Sequence, residues 1–169
     1  MKQSNIEILM KEDIWQLIGK DWMLITAGNS DGINTMTASW GGIGWLWNKP
    51  VAFVFIRPER YTHEFVEANT HLTLSFFDDS YRSALQLCGT KSGRDCDKIS
   101  AAGLTTVAIE ADVYGFEESR LTLQCRKLFK SQMNETSFLD KEVMTKWYNE
   151  SPGGGFHDIY VVEITKVYV

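Results

Sequence analysis

Proline and cysteine are both scarce in this chain of 169 residues, three of each. Scarce proline beside 13 glycines argues against stiff linkers and for tight turns and close backbone approaches. The cysteines, Cys88, Cys96 and Cys125, are odd in number and no two have CxxC spacing. That excludes a disulfide framework and a cysteine zinc site, and reads as reduced thiols. Histidine is as rare: His63 and His71 lack a third ligand nearby, and His157 lies far along the chain, so no metal site is expected. The longest apolar run is residues 51–56, far short of the ~18 residues that cross a bilayer. The opening residues hold no apolar signal core, which with reduced thiols gives the expectation of a cytoplasmic protein without a membrane partner. Lys and Arg number 17 against 22 Asp and Glu, a net charge of −5. This balance excludes a general nucleic-acid binder and leaves a local basic patch open. GxGxxG does not occur, so a Rossmann dinucleotide site is excluded.

What is present is a globular composition, 44% hydrophobic and 23% charged, read as one domain over residues 1–169. Strand patterns dominate. Residues 21–27 and 33–40 form a predicted hairpin about Asn29-Ser30-Asp31-Gly32. Further strands are predicted over 51–56, 72–77, 104–109, 111–116, 119–130 (bulged, with an outward switch at Leu128) and 156–169. Short helices are predicted over 11–18, ended by Gly19, over 59–68, from the caps Asp78, Asp79 and Ser80 through 87, over 95–102, and over 140–148 with Asp140 as cap. Residues 41–50, 89–94 and the glycines 153–155 read as loops. Many strands with few short helices favour a β-barrel with helical decorations over a parallel βαβ sheet.

Three segments could carry chemistry. In Thr35-Met36-Thr37-Ala38-Ser39-Trp40, three hydroxyls share one face of a strand. Hydroxyls are costly in a dry core unless paired, so this face meets water or a polar ligand. The following Gly41-Gly42-Ile43-Gly44, flanked by Trp40, Trp45 and Trp47, suits a planar aromatic ligand, a subunit interface or an aromatic corner of the core. In Arg57-Pro58-Glu59-Arg60-Tyr61-Thr62, two arginines flank a predicted helix start. Like charges at the positive end of a helix suit a bound phosphate, or else are solvated. Gly89-Thr90-Lys91-Ser92-Gly93-Arg94 has glycine, lysine and hydroxyls without the P-loop pattern. It reads as a second polar edge of the same site or as a solvated loop.

These segments, with Trp47-Asn48-Lys49-Pro50-Val51, Leu74-Ser75-Phe76-Phe77, Cys88 through Asp95, Asp97-Lys98 and Gly154-Gly155-Phe156-His157, together resemble the flavin reductase-like family, the flavoredoxin-type FMN-binding split barrels. The resemblance runs from about residue 20 to the C-terminus. It implies a mainly β protein with short helices, a six-stranded antiparallel Greek-key split β-barrel of the FMN-binding type. Such proteins are homodimers with FMN near the interface. By the same resemblance Thr35, Met36, Thr37, Ala38, Ser39 and Trp40 contact the isoalloxazine ring. Arg57, Arg60, Tyr61 and Thr62 hold the phosphate and ribityl chain, and Lys91, Ser92 and Gly93 close the site. His157 lies beside the reaction face as the one catalytic candidate. The implied activity is that of an NAD(P)H-dependent flavin reductase, with NAD(P)H binding transiently over the flavin. The alternative is a flavoredoxin-like electron carrier with a redox protein as partner.

Overall fold

The computed structural model describes residues 1–149 and 155–169; the glycines at 153 and 154 lie outside this set. Ten strands form in chain order: β1 (Gln3–Ser4), β2 (Met23–Asn29), β3 (Gly32–Ala38), β4 (Gly41–Leu46), β5 (Lys49–Ile56), β6 (His71–Phe76), β7 (Thr106–Glu110), β8 (Val113–Phe116), β9 (Leu121–Gln132) and β10 (Asp158–Tyr168). The helices are α1 (Ile14–Gln16), α2 (Tyr61–Ala68), α3 (Arg82–Thr90), α4 (Lys98–Ala101) and α5 (Lys141–Met144). All pairings are antiparallel. The main sheet has eight strands in the order β3-β2-β6-β9-β10-β5-β4, with the short β1 paired to β10. β7 and β8 form a separate ribbon. This is the mainly β split barrel with short helices that the sequence leads one to expect.

Period-2 alternation divides the core. On β2, Ile25 enters the barrel interior with Leu74, Leu123, Val162 and the fully buried Tyr160. Its neighbour Leu24 faces the opposite side and meets Leu85 and Cys88 of α3, with Phe77 and Phe116. A buried Leu or Ile contributes roughly 1.5–3 kcal/mol, so each face of β2 is strongly specified. The long β9–β10 pairing has two register shifts, one of which leaves Leu128 unpaired between Lys127 and Phe129. That bulge accounts for the outward switch in the sequence pattern.

Residues 41–50, expected as a loop, instead contain β4. It pairs with β5 from Gly41 opposite Val54 to Leu46 opposite Lys49. The two-residue turn between them, Trp47-Asn48, has φ of 52° and 57°, the left-handed pair that matches the twist of a tight hairpin. Gly41, Gly42 and Gly44 have no side chains to alternate, so the strand left no pattern. The first helix also differs: it passes Gly19 as a wide turn over Leu17–Asp21. Asp13 caps its start by accepting from the Trp15 and Gln16 amides. α3 runs to Thr90, three residues further than expected.

α2 is fastened at both ends. Near its start, Asn34 Nδ2 donates to Thr62 Oγ1 at 2.8 Å. Along its length His63 Nε2 pairs with Asp158 Oδ2 at 2.7 Å, and Lys130 bridges Asp158 and Glu67 at 2.9 and 2.7 Å. Tyr160 donates to Glu67 at 2.6 Å. The residues ahead of α2 therefore sit on a fixed support.

Candidate functional site

The ends of three strands meet at one cleft of about 170 Å³. Met36, Thr37 and Ala38 of β3, then Ser39 and Trp40, form one wall. Phe55 of β5, Arg57 and Arg60 form another, and His157 completes it. The register explains the meeting: β10 lies along β5 with Asp158 opposite Ile56, which brings His157 beside Arg57. β3 is a terminal strand of the sheet, so alternate backbone groups on its outer edge lack a ladder partner in the sheet and are available to a ligand.

Arg57 and Arg60 come from the turn before α2. Arg60 occupies the cap position with extended backbone and no side-chain capping bond. Arg57 donates to the Trp147 carbonyl at 2.8 Å and lies over the Tyr148 ring. Arg60 is 3.5 Å from the Cys88 carbonyl at the end of α3. Burial, followed by the positive charge of Arg57, pulls the Arg60 guanidinium below its usual value. The two cations thus share a half-buried space in which they repel. An anion between them would relieve that repulsion through charge-assisted bonds, with the N-terminus of α2 adding its dipole.

His157 is buried, and its Nδ1 shares a hydrogen bond with the Tyr148 hydroxyl at 2.9 Å. Burial, then Arg57, bring its pKa down to about 4, with Glu59 opposing and Arg60 reinforcing. The imidazole is therefore neutral at pH 7, with one ring nitrogen a hydrogen-bond donor and the other an acceptor. Trp40 packs 5.4 Å from His157 and edge-on to Trp147 at 5.1 Å.

The sequence candidates do not all face the cleft. The Thr35 hydroxyl is fully buried, bonded to Thr26 Oγ1 at 2.8 Å and to the Ile25 carbonyl at 3.1 Å. Thr37 donates to the Leu85 carbonyl of α3. α3 covers this strand face, so of the three hydroxyls expected to meet water or ligand, that of Ser39 is the one left to the cleft. Thr62 is buried against Asn34. Tyr61 packs edge-on to Phe65 beneath the Arg94 guanidinium. In the second loop, Lys91 is exposed, Ser92 accepts from the Arg94 amide, and Gly93 sits tightly on Asn34 and Tyr61. Residues 91–93 therefore lie over the start of α2, on the arginine side.

Two residues were not legible as site members. Phe55 sits inside the continuous apolar run of residues 51–56, which marks it only as core. Lys98 is a buried lysine with its ammonium on the Cys88 and Lys91 carbonyls, and a lysine in a polar segment gives no sign of burial. Among the described residues, no group of three or more His, Cys, Asp or Glu could hold a metal ion, and no helix is long and apolar enough to cross a membrane.

Known structures share this architecture. The chain aligns with flavoredoxin of Desulfovibrio vulgaris (Miyazaki F) at TM-score 0.67 and 21% identity, covering 100% of this chain and 76% of that one. An FMN-binding protein from Thermus thermophilus with bound 1-cyclohex-2-enone aligns at TM-score 0.66 and 20% identity over 87% and 68% of the two chains. The NADH:FAD oxidoreductase SgcE6 of Streptomyces globisporus C-1027 aligns at 0.63 and 14% over 88% and 74%. No curated protein matches the chain in sequence. The family model for the flavin reductase like domain matches residues 16–169, which takes in every wall of the cleft, and on that match the chain belongs to the flavin reductase-like family.

Proposed function

We propose that this protein binds FMN in the cleft and acts as an oxidoreductase, an NAD(P)H-dependent flavin reductase. The observation that carries this reading is that Arg57 and Arg60 line one cleft together with residues 36–38 of the terminal strand β3 and the flat Trp40. Two guanidinium groups suit a phosphate, and a strand edge beside an indole suits a planar ring. Arg57 and Arg60 would hold the phosphate, with Lys91, Ser92 and Gly93 closing over it, and Tyr61 and Thr62 shaping the turn beneath. Backbone groups from Thr35 to Trp40 would face the ring. FMN supplies hydride and electron transfer when bound, so the protein needs no nucleophile of its own. Neutral His157, held by Tyr148, is placed to exchange one proton at an imidazole nitrogen beside the ring. The relatives named above include an FMN-binding protein and an NADH:FAD oxidoreductase, which supports the reading.

A second reading is a flavoredoxin-like electron carrier. It is favoured by Trp40 and Trp147, 40% and 41% exposed beside the cleft, an apolar surround that a redox protein partner could cover. A homodimer belongs to the first reading. Trp15, Trp45 and Trp47 are 88%, 68% and 56% exposed around the terminal strand β4, and apolar surface of this kind favours an interface. Three free cysteines support a cytoplasmic location. The test is the visible spectrum of the protein reconstituted with FMN, before and after anaerobic NADH or NADPH. Rapid bleaching supports the reductase. A yellow protein that bleaches with dithionite alone supports the carrier, and no yellow colour refutes both. Sedimentation at micromolar concentration checks the dimer.

A further inference from the structure

Lys98 opens α4 and is 3% exposed. Its ammonium donates to the Cys88 carbonyl at 3.2 Å and to the Lys91 carbonyl at 3.3 Å. Both acceptors belong to the negative end of α3, where unsatisfied carbonyls attract a cation. Arg60 stands 3.5 Å from the same Cys88 carbonyl. Among the described residues neither Lys98 nor Arg60 has a carboxylate within ion-pair distance, although the chain has ten such pairs elsewhere. A buried ammonium that rests on neutral carbonyls is costly. Here it is also within the field of a second cation.

We propose that Lys98 is a positioning residue for the phosphate of the ligand: it pins the Lys91 carbonyl, and so the loop 91–93, to the end of α3, and its charge adds to that of Arg60 in selecting a phosphorylated flavin over an unphosphorylated one. The inference rests on the FMN reading given above. The groups that face Lys98 are Arg60 ahead of α2, Cys88 on α3 and Cys96 on the loop before α4. Burial first, then Arg60, bring the Lys98 ammonium down to about 8, while the two thiols act in the opposite sense. A phosphate dianion favours the charged lysine, so FMN affinity is full below pH 8 and falls as the ammonium deprotonates above it. Riboflavin, without a phosphate, has no such coupling.

The experiment is a fluorescence titration of the wild-type protein with FMN and with riboflavin from pH 6.5 to 9.5, repeated for Cys96→Ser, Lys98→Arg and Lys98→Met. The FMN-to-riboflavin affinity ratio of the wild type should fall about tenfold as pH rises through 8. Cys96→Ser should keep that fall, which assigns it to the lysine and not the exposed thiol. Lys98→Arg should hold the ratio flat, and Lys98→Met should lower it already at pH 7. A lysine that only supported the fold would weaken both flavins together and leave the ratio level with pH. A level ratio in the wild type overturns the inference even if both lysine variants fail to fold. If the wild type binds no FMN at any pH, the FMN reading falls and this inference with it.

Discussion

Replacing Gly93 by alanine should destabilise the protein by about 2–3 kcal/mol. A Cβ built at Gly93 stands 2.2 Å from Asn34 Oδ1, 3.0 Å from Asn34 Cγ and 3.1 Å from Tyr61 Cδ1. Asn34 is buried, and its amide donates to the buried Thr62 hydroxyl at 2.8 Å. It cannot move aside without losing that bond. A lost hydrogen bond with a buried group left unsatisfied costs about 1–3 kcal/mol, and overpacking costs about 1–3 kcal/mol. The reduced freedom of the unfolded chain returns about 0.4–1 kcal/mol. The control is Gly19→Ala, where an added Cβ meets nothing within 4 Å and the change should be neutral or slightly stabilising. Urea denaturation reads both. With m of about 1–3 kcal/mol/M, the Gly93 variant should lose about 1 M in its midpoint. In an Asn34→Ala background the penalty at Gly93 should shrink, because the clashing atoms are gone. A Gly93→Ala midpoint equal to that of Gly19→Ala, or a penalty unchanged by Asn34→Ala, would refute the steric account of this loop.

Further outcomes are expected at other sites. Arg60→Ala should weaken FMN about ten- to a hundredfold and leave riboflavin within about twofold, as loss of one charge-assisted bond implies; equal losses in parallel titrations would remove Arg60 from the phosphate site. Asp158, although buried, is held below the usual carboxylate range by hydrogen bonds from Lys130 and His63. Its contribution is therefore present above an ordinary value of about 3.9 and is lost as pH falls through its lower folded value. Asp158→Asn should cost about 1.5–3 kcal/mol at pH 7 and flatten the acid side of the stability curve in denaturant melts. Cys88 and Cys125 are buried and Cys96 is exposed. A thiol reagent should titrate one cysteine in the native protein and three in denaturant, and a second fast native thiol would contradict the burial.

The elements best read from sequence were those with local signals. Asp140 accepts from the Glu142 and Val143 amides as its position before a helix suggested, and the Leu128 bulge broke a visible alternation. The arginines before α2 were legible because two cations at a helix start conflict unless something resolves the conflict. The misses were set by tertiary context. β4 exists because β5 offers it an edge, and its glycines carry no trace of that. Thr35 looked like a ligand contact, yet its hydroxyl is satisfied by Thr26 on the neighbouring strand, a partner nine residues away that alternation does not reveal. The burial of Lys98 left no trace for the same reason: its acceptors are carbonyls, which every residue has.

The place of β10 in the sheet bears on how the chain is made. Of the described strands it is the last in chain order, yet it lies in the middle of the sheet, between β9 and β5. Until it arrives, β3-β2-β6-β9 and β5-β4 are two separate fragments of sheet, each with an open edge and an uncovered apolar face. A nascent chain shorter than residue 158 therefore has two incomplete halves of one core and is exposed to aggregation. Closure comes in one late step through long-range pairing, which makes folding slow for the size of the domain. The same step sets His157 next to Arg57, so the cleft and the barrel are completed together.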